Sequence, residues 1–336
     1  MVKINCKDAG ALLASVPPLI GFTPENSLVC LVCNEGIVVM TMRVDLPDPS
    51  QSDAFAEQIA QMVLGQGDNV VAIVLVFGGG ELTSTGQPPH TEVITALHRF
   101  LGDVHLPDGV ALWAEACVEG ARWCCYCGEC GMSGTLPDPS ATELAAASVV
   151  AGKVTHASRA ELASYVEAAS EQDLARRAEL LGGMSTTWAC SSREGLTLIR
   201  DAVDASARGD LQVDDAFVAR MALALDDVRV RDASLSFATD EQAVAAEHLF
   251  FTLIRECPAP YRAEPAALAA FYAYLRGEGA LASVALDVAV EVCPEHQLSR
   301  LLRAAFTAAI PPAELGYLAR QADIDAAVIF AEHADT

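Results

Sequence analysis

The sequence predicts two domains of different class: an α/β domain with a mixed sheet over residues 1–135, then an all-helical domain over 136–336. Three observations carry that expectation. Residues 16–47 hold two apolar, β-rich runs joined by three turn residues, Asn69–Phe77 is an unbroken apolar run of strand length, and helix-capping signals dominate from Ser140 onward. At 336 residues the chain exceeds what a single core usually serves. Its apolar share of 52% and mean hydropathy of +0.30 supply enough buried surface for two. Aromatic residues make up only 6% while alanine is common, which favours closely packed helices over a sandwich.

In chain order, Lys7–Ala14 reads as a short helix stopped by Pro17-Pro18. Ser27–Cys33 and Ile37–Leu46 read as strands of a hairpin, with Gly36 in the Asn34-Glu35-Gly36 turn free to take a positive φ. So apolar a hairpin is not stable alone, so later elements must cover it. Asp48-Pro49-Ser50 offers caps for a helix over Asp53–Leu64, where apolar residues recur at helical spacing before Gly65 and Gly67. Asn69–Phe77 has the pattern of a central strand covered on both faces. A loop bounded by Gly78-Gly79-Gly80 and Pro88-Pro89 leads to a helix over Thr91–Leu101, then a strand over Gly109–Cys117 and its hairpin partner Arg122–Cys127. The order is a β-hairpin, then αβαββ, which implies a mixed sheet with at least one parallel crossover.

Gly131–Pro139 (GMSGTLPDP) marks the change of composition. Beyond it, Ser or Thr followed three residues later by Glu or Gln recurs at Ser140/Glu143, Ser158/Glu161, Ser191/Glu194 and Thr239/Gln242, the pattern of a capping box. Helices are expected near 141–151, 159–168, 171–181, 192–207, 214–225, 240–255, 264–276, 280–292, 295–309 and 312–321; Val228–Val230 is the competing strand signal. Ala270, Gly277, Ala282, Ala289 and Pro294 give a tetratricopeptide-like spacing, in which small residues let two helices approach closely. One copy is clear and a solenoid needs about three, so an ordinary helical pair in an Ala-rich bundle is the simpler reading.

Formal net charge is −24, from 45 acidic and 21 basic residues. That field repels nucleic acid and anionic lipid unless a basic stripe offsets it, and Arg176-Arg177 and Arg229/Arg231 are isolated pairs among acids. No apolar run reaches the roughly 20 residues of a membrane span, and MVKINCKDAG lacks a signal pattern. A soluble, cytoplasmic protein is the expectation. Eleven cysteines, an odd number spread over a long chain, argue for reduced thiols over a disulfide framework.

The densest chemistry lies in Arg122-Trp123-Cys124-Cys125-Tyr126-Cys127-Gly128-Glu129-Cys130. Cys127-x-x-Cys130 has the spacing of a zinc knuckle, and in a strand Cys125 shares the face of Cys127 while Cys124 points the other way. Cys127 and Cys130, with Cys125, are the candidate ligands of a zinc ion, and Cys117, Cys124 or a loop histidine such as His90 are the other groups that could complete the set; buried or half-buried structural thiols are the favoured reading. A thioredoxin-like role needs a helix after the first cysteine, and none follows until Ser140. Cys30-x-x-Cys33 lies within a strand and faces both ways. Gly78-Gly79-Gly80 after a central strand suggests a phosphate loop, but neither GxGxxG nor GxxxxGK[ST] is present and Glu81 opposes an anion. GxSxG, HExxH and EF-hand patterns are absent too, so no reaction is assigned.

Leu12-Leu13 with Pro17, Gly21-Phe22-x-Pro24-x-x-Ser27-Leu28-Val29, Arg43-Val44-Asp45-Leu46-Pro47, Gly120-x-Arg122-Trp123 and Ser158-Arg159-x-Glu161-Leu162 follow one another in a recognisable order. Val228-Arg229-Val230-Arg231-Asp232 and the stretch Pro258–Pro312, with Gly277-x-Gly279-Ala280-Leu281-Ala282 and Ala285-Leu286-Asp287, continue it. In this the chain resembles an actinobacterial family known as domain of unknown function 4192, over nearly its whole length. Similar proteins carry a longer loop with paired cysteines, compressed here to Cys127-Gly128-Glu129-Cys130. The resemblance implies no activity and transfers no catalytic residue.

Two functions are expected of such a chain. One is a non-catalytic binding or scaffold protein that offers a groove of its helical domain to a protein partner. The other is a small-molecule binder or enzyme with a pocket at the sheet rim, where Gly21–Ser27, Arg43, Asp45, Arg122 and Trp123 meet, Arg122 holding an anion and Trp123 stacking on a planar group. Surface ion pairs and packing are the plainer roles for those side chains.

Overall fold

β1 (Ser27–Asn34) and β2 (Ile37–Asp45) form the expected hairpin, turned by Glu35 and Gly36 at φ 50° and 78°. The structure, a computed structural model, describes residues 8–107, 110–128, 130–150, 153–239, 241–308 and 310–332. Lys7, Gly109, Ala151, Asp240 and Ala309, at the ends of expected elements, lie outside the described residues, as does Glu129 in the cysteine loop. β1 pairs antiparallel along its length with β3 (Val70–Phe77), which makes β1 interior and β2 an edge. α3 (Ser52–Leu64) connects β2 to β3; α4 (Thr91–His105) makes the expected crossover to β4 (Ala111–Ala114), parallel to β3. β5 (Arg122–Cys125) returns antiparallel, and β6 (Ser133–Thr135) completes the six-stranded order β2-β1-β3-β4-β5-β6. β6 is a strand where the sequence reads only a loop; its Ser-Gly-Thr is exposed throughout and is held by the ladder to β5.

The sheet is covered on both faces. α1 (Ala9–Ala14) and α2 (Val16–Ile20) set Leu12, Leu13 and Val16 against Val29, Leu75 and Leu112. Alternation sends Leu28, Val74 and Val76 the other way, where α3 and α4 bury Ile59, Val63, Val93 and Leu97. Pro17-Pro18 does not stop helical structure: it sits in the first turn of α2, where a missing N–H costs no hydrogen bond.

Contacts divide the chain into two compact units, Met1–Glu161 and Leu162–Thr336. The change of composition near 135 and the division of contacts are separate features. α5 (Glu143–Val150) and the segment after it belong with the sheet: Thr23 N–H donates to His156 O at 3.0 Å and His156 N–H to Gly21 O at 2.8 Å. α6 (Arg159–Ser164) spans the division.

The second unit is helical among its described residues: α7 (Glu171–Ser185), α8 (Ser192–Arg208), α9 (Asp215–Leu225), α10 (Val228–Ala233), a 3-10 stretch Ser234–Thr239, α11 (Ala243–Glu256), α12 (Ala263–Leu275), α13 (Gly279–Val292), α14 (Gln297–Thr307) and α15 (Pro312–Ala331). Val228–Val230 is helical, not extended, because the Asp227 carboxylate accepts from Arg229 N–H at 2.9 Å and starts α10. Ser191 and Glu194 make a complete capping box on α8. Ser158 caps toward Glu161 N–H at 3.1 Å, whereas Thr142 replaces Ser140 as the cap of α5 and Gln242 supplies no side-chain cap to α11. α12 and α13 pack as neighbours about Gly277 at φ 81°, with Ala270, Ala282 and Ala289 fully buried. No helix among the described residues is long and apolar enough to cross a membrane.

Candidate functional site

The rim residues named by the sequence fall into separate clusters. Arg43 on β2 donates through Nε to Ser27 Oγ at 2.8 Å, and through Nη2 to Asp45 Oδ1 at 2.7 Å and Glu25 O at 3.3 Å. Its guanidinium also lies 5.7 Å from the Phe22 ring centroid. Arg43 and Asp45 thus meet, as two-residue spacing on a strand requires, and they tie the Gly21–Ser27 segment to the hairpin. Arg122 instead pairs with Glu115, its Nε and Nη2 donating to the carboxylate at 3.1 and 3.3 Å, which holds that carboxyl below its ordinary range.

One pocket combining these groups does not form, for two reasons. Asp45 and Trp123 lie in one register row, Asp45–Ser27–Phe77–Ala114–Trp123, but four strand spacings of about 4.8 Å put their backbones about 19 Å apart. Arg122 and Trp123 are consecutive on β5 and point to opposite faces. The Trp123 ring is already covered: a Cβ added at Gly134 or Gly10 would lie 3.0 or 3.3 Å from its Nε1.

The carboxyl end of β3 is filled by the protein itself. Gly78, Gly79 and Gly80 have φ of 70°, 78° and 139°, facing Asn26 and His90, which are also left-handed. A Cβ on Gly79 would come within 2.6 Å of both His90 Nε2 and Leu46 Cδ1. Asn26 Oδ1 accepts from Gly79 N–H at 3.0 Å, and Trp113 Nε1 donates to Gly78 O at 2.8 Å. The glycines therefore admit neighbouring side chains where a phosphate loop would leave space.

The cysteines do converge. Cys125, Cys127 and Cys130 hold their Sγ atoms within 4.8 Å of one another at the tip between β5 and β6. The Cys125 thiol donates to Cys127 Sγ at 3.1 Å, and Cys127 N–H donates to Cys125 Sγ at 3.3 Å. Burial pushes the Cys125 thiol up, while hydrogen bonds from the Cys127 thiol and the Met132 backbone lower that of exposed Cys130. Cys124 stays outside the group, on the opposite face of β5, as alternation predicts. Cys117 is directed at Leu13 O, 3.9 Å away, and burial pushes its thiol up to about 12.

In the helical unit, Ser299, His296 and Glu264 line up as hydroxyl, imidazole and carboxylate. Ser299 Oγ is 2.6 Å from His296 Nδ1, and His296 Nε2 is 2.9 Å from Glu264 Oε2. This is a helix cap and not a nucleophile: Ser299 is fully buried, and its backbone N–H donates to the same Nδ1 at 3.2 Å. The buried Arg177 joins α7 to α9 and α11 by donating to Asp215, at 2.9 Å, and to Glu256.

α15 carries the feature that the sequence reading missed. Leu315, Ala319, Ala322 and Ile329 form its buried stripe. On the opposite side Tyr317, Ile324 and Val328 make a second apolar stripe, 60%, 58% and 48% exposed. Helical spacing over 312–331 signals it, but only if the helix is followed past 321.

A mixed-sheet α/β unit followed by a mostly helical unit is the class these features define. The chain belongs to the family described as Domain of unknown function (DUF4192), whose model matches residues 10–313. No curated protein and no solved structure matches the chain.

Proposed function

We propose that this is a non-catalytic binding protein whose helical unit receives a basic, amphipathic helix of another protein along α15. The second apolar stripe of α15 carries the reading. A helix apolar on two opposite sides is ordinarily covered on both, and exposed apolar strips rimmed by charge mark interaction surfaces. Glu314 and Asp325 flank the stripe on one side and Arg320 lies over the Tyr317 ring, 5.9 Å from its centroid; within a chain of net charge −24 a basic helix is the complementary occupant. Such a helix would place apolar anchors at i, i+4 and i+7 against Tyr317, Ile324 and Val328. The tetratricopeptide-like spacing in α12 and α13 suits the same role, since stacked helical pairs present grooves.

The rim of the first unit supports a small-molecule site less well, because Arg43, Asp45 and Arg122 are each engaged by their own neighbours. Affinity capture with wild type and with the double variant Ile324→Glu/Val328→Glu tests the proposal. A basic partner retained by wild type and lost with the variant is expected. Identical captures with both proteins refute it.

A further inference from the structure

The cysteine tip between β5 and β6 bears a second proposal, independent of α15. We propose that Cys125, Cys127 and Cys130 bind one zinc ion as thiolates. Tetrahedral zinc with bonds of about 2.3 Å requires sulfurs about 3.8 Å apart. The three Sγ atoms already lie within 4.8 Å of one another, with Cys125 and Cys127 3.1 Å apart, so side-chain adjustments of about 1 Å or less complete the geometry.

The backbone holds them there before any ion arrives. Cys125 N–H donates to Met132 O at 2.9 Å and closes the base of the loop. Gly131 directly after Cys130 has φ 59°, and that left-handed turn leads the chain back into β6 with both knuckle sulfurs on one side. Odd numbers also matter: three thiols cannot all be satisfied by disulfides among themselves, and Cys125, Cys127 and Cys130 are free thiols.

Three sulfurs select a soft or borderline ion such as zinc over magnesium or calcium. Cys124 and Cys117 point elsewhere, so among the described residues the protein supplies three ligands and leaves the fourth tetrahedral position to water or a small donor. Binding expels thiol protons to solvent, and affinity therefore falls as pH falls. The ion would pin β6, an exposed three-residue edge strand held in the sheet by β5.

The test uses the full chain, reduced and stripped with chelator. Cobalt(II) is titrated first as a probe, read by its thiolate charge-transfer absorption, then displaced by zinc, and bound zinc is counted after dialysis. One ion per chain is expected. Cys130→Ser should weaken binding by more than about tenfold, beyond the lower end of what loss of an outer-shell partner costs, and Cys124→Ser should bind as wild type. Cys130 is exposed, so circular dichroism of its variant should match wild type and separate ligand loss from misfolding. Fully reduced wild type that retains no zinc overturns the proposal, as does equal binding by Cys130→Ser and Cys124→Ser.

Discussion

Replacing Gly79 by alanine tests whether the carboxyl end of β3 is filled as described. Two costs add. At φ 78° an alanine sits in the left-handed region, at about 1–2 kcal/mol. Its Cβ would lie 2.6 Å from His90 Nε2 and from Leu46 Cδ1, so both side chains must shift; overpacking of that kind costs about 1–3 kcal/mol. The sum is about 2–5 kcal/mol. Gly86 provides the control, with φ 79° and nothing within 4 Å of an added Cβ, so Gly86→Ala should carry the backbone cost alone. Urea unfolding followed by tryptophan fluorescence measures the difference. With Trp188 changed to Phe, the remaining tryptophans are Trp113 and Trp123, both in the first unit, and Trp113 donates directly to Gly78 O. Separating the units matters because a two-unit chain need not unfold in one step. Gly79→Ala should be less stable than Gly86→Ala by about 2 kcal/mol. Equal stability of the two variants would refute the steric reasoning.

Other outcomes follow from the helical unit. Asp215 is held at about 2, from an ordinary 3.8, chiefly by hydrogen bonding to Arg176 and then Arg177. A depressed carboxyl stabilises the fold above its unfolded pKa and loses that contribution as pH falls from 3.8 to about 2. Acid titration of Asp215→Asn should therefore show a shallower loss of stability in that window, and an unchanged profile would contradict the network. Ser191→Ala removes the hydroxyl of the α8 capping box and should cost about 1 kcal/mol in chemical denaturation, with Ser191→Asp recovering most of it. Ile324→Glu should leave the isolated protein within about 0.5 kcal/mol of wild type, since the side chain is exposed. A large loss would mean that the stripe already serves the fold.

Much of the first unit was legible because its signals are local. The hairpin, the buried central strand β3 and the crossover through α4 each follow from residue periodicity and turn chemistry over short stretches. Sheet order is not local: nothing in Arg43 or Arg122 records that β1, β3 and β4 lie between their strands, and so their expected meeting fails. β6 escaped notice because Ser133, Gly134 and Thr135 bury nothing and owe their conformation to β5. Val228–Val230 looked extended by β-branching, yet two valines flanking Arg229 lose to the Asp227 cap. The cysteine cluster was readable by alternation plus knuckle spacing, which placed Cys124 apart from the other three. The outward stripe of α15 was not, because the helix extends ten residues beyond the expected 312–321 and Ile324 and Val328 lie in that extension.

The most direct test of the binding role places a photo-crosslinking side chain at position 324 of the full chain and irradiates it in the native cell extract. A matched protein with the same group at exposed Val244 on α11 serves as control. The account predicts an adduct specific to position 324, joined to a basic helical segment of a different protein and weakened by Val328→Glu. An adduct with a second copy of this acidic chain, or the same adducts from both positions, would contradict it.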